Sequence, residues 1–192
     1  TALGIGAMDA ITQGDYNVAV GYNAGTVLNL GVQNTLVGGN AGAALTSGHY
    51  NVAIGTNALN AEDTHGFNVA IGRSALYAQN AGADAYNVAI GYFAGLSVST
   101  GVDNVFIGGG AGDAVTTSGR NVAIGREAFS TEDDVGLVVA VGYQALRNQN
   151  AGGNTYNVAV GYNAGEAVST GINNTIVGGL AGDALTIGNY NT

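Results

Sequence analysis

A short motif of the form Asn-x-x-[Val/Ile]-Gly returns along almost the whole chain at nearly constant spacing. The glycine that closes it, the anchor glycine, falls at Gly21, Gly38, Gly55, Gly72, Gly91, Gly108, Gly125, Gly142, Gly161 and Gly178. The interval between anchors is 17, as from Gly21 to Gly38, except for two intervals of 19 that end at Gly91 and Gly161. Four units thus make a 70-residue super-repeat. Such a period is typical of solenoids, in which each repeat forms one coil that stacks on the next.

The residues around the anchor glycine also fall into fixed columns. Asn lies four positions before it in every unit but one, where Val138 stands instead, and Ala lies three positions after it. A bulky apolar residue lies seven after the anchor in the first two units of each super-repeat and four after it in the other two. Because stacked coils turn such columns into ladders, we expect the Asn side chains to hydrogen-bond to one another along the stack.

Composition narrows the fold class further. The chain has 192 residues, of which 46% are hydrophobic and 9% charged, with 34 glycines and no proline or cysteine. Disordered chains carry more charge and fewer aliphatic residues, and no segment has the sustained 3.6-residue apolar period of a helix. The prediction is an all-β fold, a parallel β-solenoid or β-roll built from 17- and 19-residue coils. No apolar run reaches the ~20 residues of a membrane-spanning helix.

The repeat also sets the predicted organisation of the chain. Residues 1–15 form a degenerate first coil, 16–85 the first super-repeat, 86–155 the second and 156–192 part of a third. Asn191 follows Asn174 at the interval of the repeat, so a further unit begins there. We therefore expect the sequence to be an excerpt of a longer chain.

The middle residue of each strand motif is never polar, which bears on assembly. In Asn-Val-Ala-Val-Gly the two Val side chains share one face, predicted to point into the coil, and the middle residue takes the other. We expect that second face to be covered by other chains of the same kind, and the alternative is a lone solenoid with an Ala-rich outer face. The predicted oligomer face consists of Ala19, Leu36, Ala53, Ala70, Ala89, Phe106, Ala123, Ala140, Ala159 and Ile176.

The motif Asn-Val-Ala-[Val/Ile]-Gly-x-x-Ala resembles the head repeats of trimeric autotransporter adhesins, the YadA-like family, over residues 16–192. Closely similar repeats occur in phage tail-fibre-like proteins. The units here are longer than those usual in adhesin heads, and the regular super-repeat is nearer to the fibre group. The resemblance implies an intertwined homotrimer with a left-handed parallel β-roll in each chain.

These features predict a structural and adhesive fibre segment, without enzymatic activity, that attaches to a host cell or surface. The expected location is extracellular, on a cell surface or a virion. Expected partners are other copies of the chain and a host glycan or protein; the formal charge of −9 argues against nucleic acid and anionic membranes. A phage tail or capsid fibre is the first alternative. A polysaccharide depolymerase and an ice-binding solenoid rank lower, because no carboxylate groove and no regular Thr rows are evident.

Few residues suggest site chemistry. Secondary candidates for a cation site are the acidic clusters Glu62-Asp63 and Glu132-Asp133-Asp134, which occupy equivalent predicted turns of successive super-repeats and are expected to be solvated. His49 and His65 are the two histidines, and both are expected at the surface. No catalytic residue, metal or cofactor is predicted. The tyrosines that follow an anchor glycine form a candidate row for stacking on sugars: Tyr22, Tyr92, Tyr143 and Tyr162.

Overall fold

The computed structural model describes residues 1–131 and 136–192, and in those ranges the chain is all-β without a helix. Eleven short parallel strands form one sheet in sequence order, which confirms the predicted β-solenoid. They are Ala2–Leu3 (β1), Val18–Val20 (β2), Thr35–Val37 (β3), Val52–Ile54 (β4), Val69–Ile71 (β5), Val88–Ile90 (β6), Val105–Ile107 (β7), Val122–Ile124 (β8), Val139–Val141 (β9), Val158–Val160 (β10) and Thr175–Val177 (β11). A search of the same ranges for a helix that could cross a bilayer finds none.

Each strand pairs in register with the strand of the next coil. Ala19 lies beside Leu36, and Leu36 lies beside Ala53. The 19-residue coils keep the same register, since Ala70 pairs with Ala89. Their additional residues lie in exposed turns, where a side chain added at Gly82 or Gly152 would meet no described atom within 4 Å. The sheet therefore runs unbroken across the predicted boundaries near residues 85 and 155.

A ladder of buried Asn side chains runs beside the sheet, and the predicted bond between successive side chains occurs at some steps, as from Asn34 Nδ2 to Asn17 Oδ1 at 3.1 Å. The recurring contact is instead from backbone to side chain. The backbone N–H of Asn34 donates to Oδ1 of Asn17 at 2.9 Å, and the Asn34 amide donates to the Gly48 carbonyl at 2.8 Å. The backbone contact recurs from coil to coil and the amide contact in most coils, and the amide in this way satisfies backbone groups that the turns would leave without a partner. At Val138 the ladder loses a side chain, but its backbone N–H still donates to Oδ1 of Asn121 at 3.2 Å.

The predicted assignment of the two strand faces is wrong. Ala19, Leu36, Ala53, Ala70, Ala89, Phe106, Ala123, Ala140 and Ala159 are 0% exposed and Ile176 is 5% exposed, because all of them point into the coil of their own chain. The flanking Val and Ile side chains point outwards and are half-buried or exposed. The middle residue is small because the coil interior is narrow, not because other chains approach it.

The interior also explains the 70-residue super-repeat. Where a bulky residue stands in the strand, the position four after the anchor glycine is Gly. A Cβ at Gly112 would lie 2.5 Å from the Phe106 ring, and a Cβ at Gly42 would lie 2.9 Å from Leu36. In the third and fourth units of each super-repeat the strand carries Ala, and the residue four after the anchor is bulky and fully buried, as at Leu59 and Phe129. The first unit carries Ala in the strand and Gly at the facing position, and a Cβ at Gly95 would lie 3.0 Å from the Phe106 ring of the next coil. A large side chain of the same coil or of the next coil therefore fills the space between the two walls, which keeps the interior at close-packed density.

The anchor glycines are required by backbone geometry. Gly91 has φ +142, a conformation that side chains rarely adopt, and a Cβ there would lie 2.5 Å from the Gly108 carbonyl oxygen. The same conformation recurs at the equivalent glycine of the neighbouring coils. This column therefore lets adjacent coils approach closely enough for the parallel ladder.

Candidate functional site

Two rows of side chains run along one edge of the solenoid, at the first and second positions after the anchor glycine. Coil-to-coil backbone bonds hold the rows in place; the N–H of Phe93 donates to the Arg73 carbonyl at 3.0 Å, and that of Gly110 to the Tyr92 carbonyl at 2.9 Å. The first row is Tyr22, Gly39, Thr56, Arg73, Tyr92, Gly109, Arg126, Tyr143, Tyr162 and Gly179. The second is Asn23, Asn40, Asn57, Ser74, Phe93, Gly110, Glu127, Gln144, Asn163 and Leu180.

Both rows lose their side chain in the same coil at Gly109-Gly110, and a cleft of about 590 Å³ opens there. Because its two walls belong to coils on either side of that glycine pair, they are separated by two coil spacings, roughly 10 Å. The cleft is lined by Tyr92, Phe93, Asp113, Arg126, Glu127, Ser130, Thr131 and Arg147 in addition to the glycines. Its volume lies within the range of small-ligand sites.

One wall of the cleft is aromatic. The Tyr92 and Phe93 rings are stacked with centroids 3.9 Å apart, and Tyr92 is 52% exposed. The Arg73 guanidinium lies 5.7 Å from the Tyr92 centroid and 5.6 Å from that of Phe93. A cation at this distance from a ring is attracted by its electron density, which helps to fix the orientation of both rings.

The opposite wall is a charged network around Glu127. Arg126 Nη2 lies 3.0 Å from one carboxylate oxygen of Glu127 and Arg147 Nη2 lies 3.5 Å from the other. The Gln144 amide donates to that second oxygen at 2.7 Å. This hydrogen bond, followed by the contacts with Arg126 and Arg147, holds the pKa of Glu127 below its ordinary value.

Asp113 lies at the base of the cleft, between the two walls. A Cβ at Gly110 would lie 3.5 Å from Asp113 Oδ2 and 3.7 Å from the Glu127 Cγ, so both acids face one point. Burial raises the pKa of Asp113, and the charge of Glu127 adds to the effect. Asp113 Oδ1 is buried and has no hydrogen-bond partner in the part of the chain that the structure describes. The carboxylate at the base of the cleft therefore has one buried oxygen that no described group hydrogen-bonds.

The predicted tyrosine row is only partly assembled. Tyr143 and Tyr162 stack with centroids 5.3 Å apart, and Arg126 lies 6.0 Å from the Tyr143 centroid. Tyr92 is the one of the four that lines the cleft, whereas Tyr22 is exposed at the far end of the same row. Sequence reasoning missed Asp113, Arg126 and Glu127, and the signal that marks them is the glycine pair that interrupts both rows.

The acidic clusters have different outcomes. Glu132, Asp133 and Asp134 lie outside the described residues. Glu62 was expected in a solvated turn, and that expectation is wrong because its side chain is fully buried, whereas Asp63 is partly exposed. His65, whose side chain is 27% exposed, lies beside Glu62 with Nδ1 3.5 Å from Oε1. His49 is separate and lies 3.8 Å from Asp84.

Comparison of the chain with protein-family models, curated proteins and solved structures found no match. The resemblance to YadA-like head repeats and to phage tail-fibre repeats therefore stays a prediction from the sequence columns.

Proposed function

We propose that this solenoid is a segment of an extracellular attachment fibre that binds saccharide through the cleft beside Tyr92. The supporting observation is that a regular rod is interrupted at one edge by a cleft with an aromatic wall and a polar wall. An exposed ring offers an apolar surface to the face of a sugar, while charged groups beside it can donate to and accept from hydroxyl groups. On this proposal the segment has no enzymatic activity.

The charges of the cleft favour a neutral saccharide over an acidic one. Arg126 and Arg147 are balanced by Asp113 and Glu127, and both arginines already contact Glu127. An anionic ligand would have to compete with Glu127 for the same guanidinium groups. Hydroxyl groups, by contrast, can hydrogen-bond to paired charges without displacing them.

A glycan array that carries neutral and acidic oligosaccharides tests this proposal directly. We expect the 192-residue chain to bind neutral glycans, and Tyr92→Ala to lower that binding at least tenfold. Tyr22→Ala is the matched control, since Tyr22 occupies the same row but lies away from the cleft. Gly109→Thr with Gly110→Asn should abolish binding, because the pair copies Thr56-Asn57 and rebuilds both rows. Equal binding by all four proteins would overturn the proposal.

The proposed fibre is a homotrimer that assembles through the outer sheet face, the row of side chains that flank the middle residue of each strand. From β2 to β11 this face is Val or Ile at every position except Thr35 and Thr175. With ten strands at ~4.8 Å spacing and a width of roughly 10 Å, its area is on the order of 500 Å². That is at the upper end of the apolar patches that monomers leave exposed.

Sedimentation equilibrium of the purified chain tests the assembly. We expect three times the 18.9 kDa chain mass, and monomers for Ile107→Lys, which places a charge at the centre of the outer face. Thr100→Lys adds the same charge on an exposed turn and should remain trimeric. A wild-type monomer at all concentrations would contradict assembly through this face.

Glycoside hydrolysis is a second candidate because of the two acids in the cleft. Asp113 has a raised pKa and Glu127 a lowered one, which is how a proton donor and an ionised partner differ in glycosidases. Product analysis of the array-positive oligosaccharide distinguishes the two functions. Cleavage that is lost in Asp113→Asn would establish hydrolysis, whereas binding without cleavage supports the attachment fibre.

A further inference from the structure

The turn at residues 62–65 contains a buried carboxylate in a column that is apolar in the first two coils of each super-repeat. Seven positions after the anchor glycine the chain carries Leu28 and Leu45 in the first two coils, then Glu62, and Gln79 in the coil that follows. The Glu62 side chain is 0% exposed. A negative charge at so buried a position is unfavourable unless a proton or a cation compensates it.

The hydrogen bonds of Glu62 leave one oxygen free. Oε1 accepts the backbone N–H of His65 at 3.1 Å, whereas Oε2 is buried without a partner in the described part of the chain. Gln79 Nε2, in the next coil of the same column, also lacks a partner there. Two explanations for the buried acid are therefore open to test: a structural role with Gln79, or a bound cation.

The neighbouring side chains favour a cation. His65 Nδ1 lies 3.5 Å from Glu62 Oε1, which is long for a hydrogen bond. It is close to the distance of about 3.3 Å that separates two ligand atoms of a tetrahedral zinc ion, each bonded to the metal at about 2.0–2.1 Å. One ligand atom each from Glu62, Asp63 and His65 lies within 4.8 Å of the others.

The cluster is held in place by the turn and the coil before it. The Thr64 hydroxyl donates to Asp63 Oδ1 at 3.1 Å and lies 3.0 Å from His65 Nδ1. The Asp63 carbonyl accepts the Thr46 hydroxyl at 2.8 Å, and the His65 carbonyl accepts the Asn51 amide at 3.0 Å. Fixed ligands of this kind lose little conformational entropy when an ion binds.

We propose that Glu62, Asp63 and His65 bind a zinc ion, with water at the fourth position. One imidazole nitrogen with two carboxylates is a ligand set for zinc, whereas calcium and magnesium prefer oxygen ligands only. The buried Glu62 would supply a ligand from inside the coil, and the partly exposed Asp63 and His65 give the ion access from solvent. Sequence reasoning listed Glu62 and Asp63 but set His65 aside, although the three residues stand within one Glu-Asp-Thr-His segment.

Isothermal titration of the full chain with zinc chloride, after treatment with EDTA, tests this site. We expect one ion per chain and no displacement by excess Ca²⁺ or Mg²⁺. His65→Ala and Asp63→Asn should each weaken binding at least tenfold, while His49→Ala, which removes the other histidine, should leave it unchanged. No binding by the wild type, or equal loss in both histidine variants, would overturn the proposal.

Glu62→Gln separates the zinc site from a purely structural role. Gln occupies the corresponding column position at Gln79, where it is fully buried, so the variant should fold with an unchanged circular dichroism spectrum. We expect it to lose zinc binding and the rise in melting temperature that zinc gives the wild type. If it binds zinc as tightly as the wild type, the proposal is wrong and the buried acid serves the fold alone.

Discussion

In the seven strands whose middle residue is Ala, the two faces carry apolar side chains of different size. In β6, Ala89 points into the coil and is fully buried, whereas the larger Val88 and Ile90 point outwards and remain partly accessible. If the larger side chains are assumed to be the buried ones, the inner and outer faces of the strand are exchanged. In a coil this narrow the interior is limited by volume, and the small residue is the one that fits. The outer face has no such limit and accepts β-branched residues, which suit a pleated surface.

The sharpest test of this comparison is the same charge placed on each face. Ala89→Glu buries an ionised group in a full interior and should cost at least ~4 kcal/mol, or prevent folding. Val88→Glu, on the outer face next to it, should cost about 1 kcal/mol or less. Urea unfolding followed by circular dichroism, at a concentration where the chain is monomeric, measures both. Similar losses would mean that the faces are not distinct.

The next largest effect on stability is expected where a large side chain on the strand faces a glycine across the coil interior. Phe106→Ala empties one coil and should cost about 3–5 kcal/mol. Adding Gly112→Leu should recover part of this, because the double variant copies the arrangement of Ala53 with Leu59, a leucine that already adopts φ 49. Gly112→Leu alone should be destabilising because of overpacking. A double-mutant cycle in urea measures the coupling between the two positions. If the two losses of unfolding free energy simply add, a large residue at one position does not compensate for a small one at the other.

A conservative polar change on the outer face should have a smaller effect. Ile107→Thr copies the threonine found at Thr35 and Thr175 on that face, so we expect a loss below ~1 kcal/mol in the monomer. Thermal unfolding of dilute protein provides the measurement. Phe106→Tyr, one residue away and pointing inwards, is the matched comparison and should cost more, since its hydroxyl needs a buried partner.

The smallest effect is the pH dependence that Glu62, the buried acid seven positions after Gly55, gives to the stability of the fold. The pKa of Glu62 is higher in the folded chain than its ordinary value of 4.5. Its contribution to stability is therefore complete below about pH 4.5 and is lost as the pH rises through the raised pKa. With EDTA present, Glu62→Gln should be more stable than the wild type at pH 7, and this advantage should shrink at about pH 4.5. Melting temperatures at the two values test it, and a constant difference would exclude the titration of Glu62.

The coil period, the parallel stacking and the Asn ladder are predictable from sequence because they depend on columns that repeat. An anchor glycine stands in every unit and an Asn in every unit but that of Val138, and the repetition makes a weak signal a strong one. The face assignment failed because alternation within Val88-Ala89-Ile90 shows that two faces exist but not which one is inside. That choice depends on the bulk of residues across the coil, such as Gly95 and Leu59, which only the folded backbone places opposite the strand.

The sites were less predictable because they depend on departures from the repeat. The cleft arises where Gly109-Gly110 omits side chains that other coils carry, so its position follows only once the rows are aligned in space. Glu62 looks like an ordinary turn acid in the sequence. Its burial follows from the column that it shares with Leu45 and Gln79. In the coils of Glu62 and Gln79 the bulky apolar residue stands four rather than seven positions after the anchor, so the sequence alone does not show that this column is still inside.

The exposed turns of the 19-residue coils have a practical consequence. Gly82 and Gly152 lie where added atoms meet nothing in the described chain, and the strands on either side keep their register despite the additional residues. Foreign loops inserted there would emerge from the same edge of the rod at intervals of four coils, roughly 19 Å. These two turns are therefore insertion sites at which epitopes or enzymes could be displayed at a fixed spacing along the solenoid.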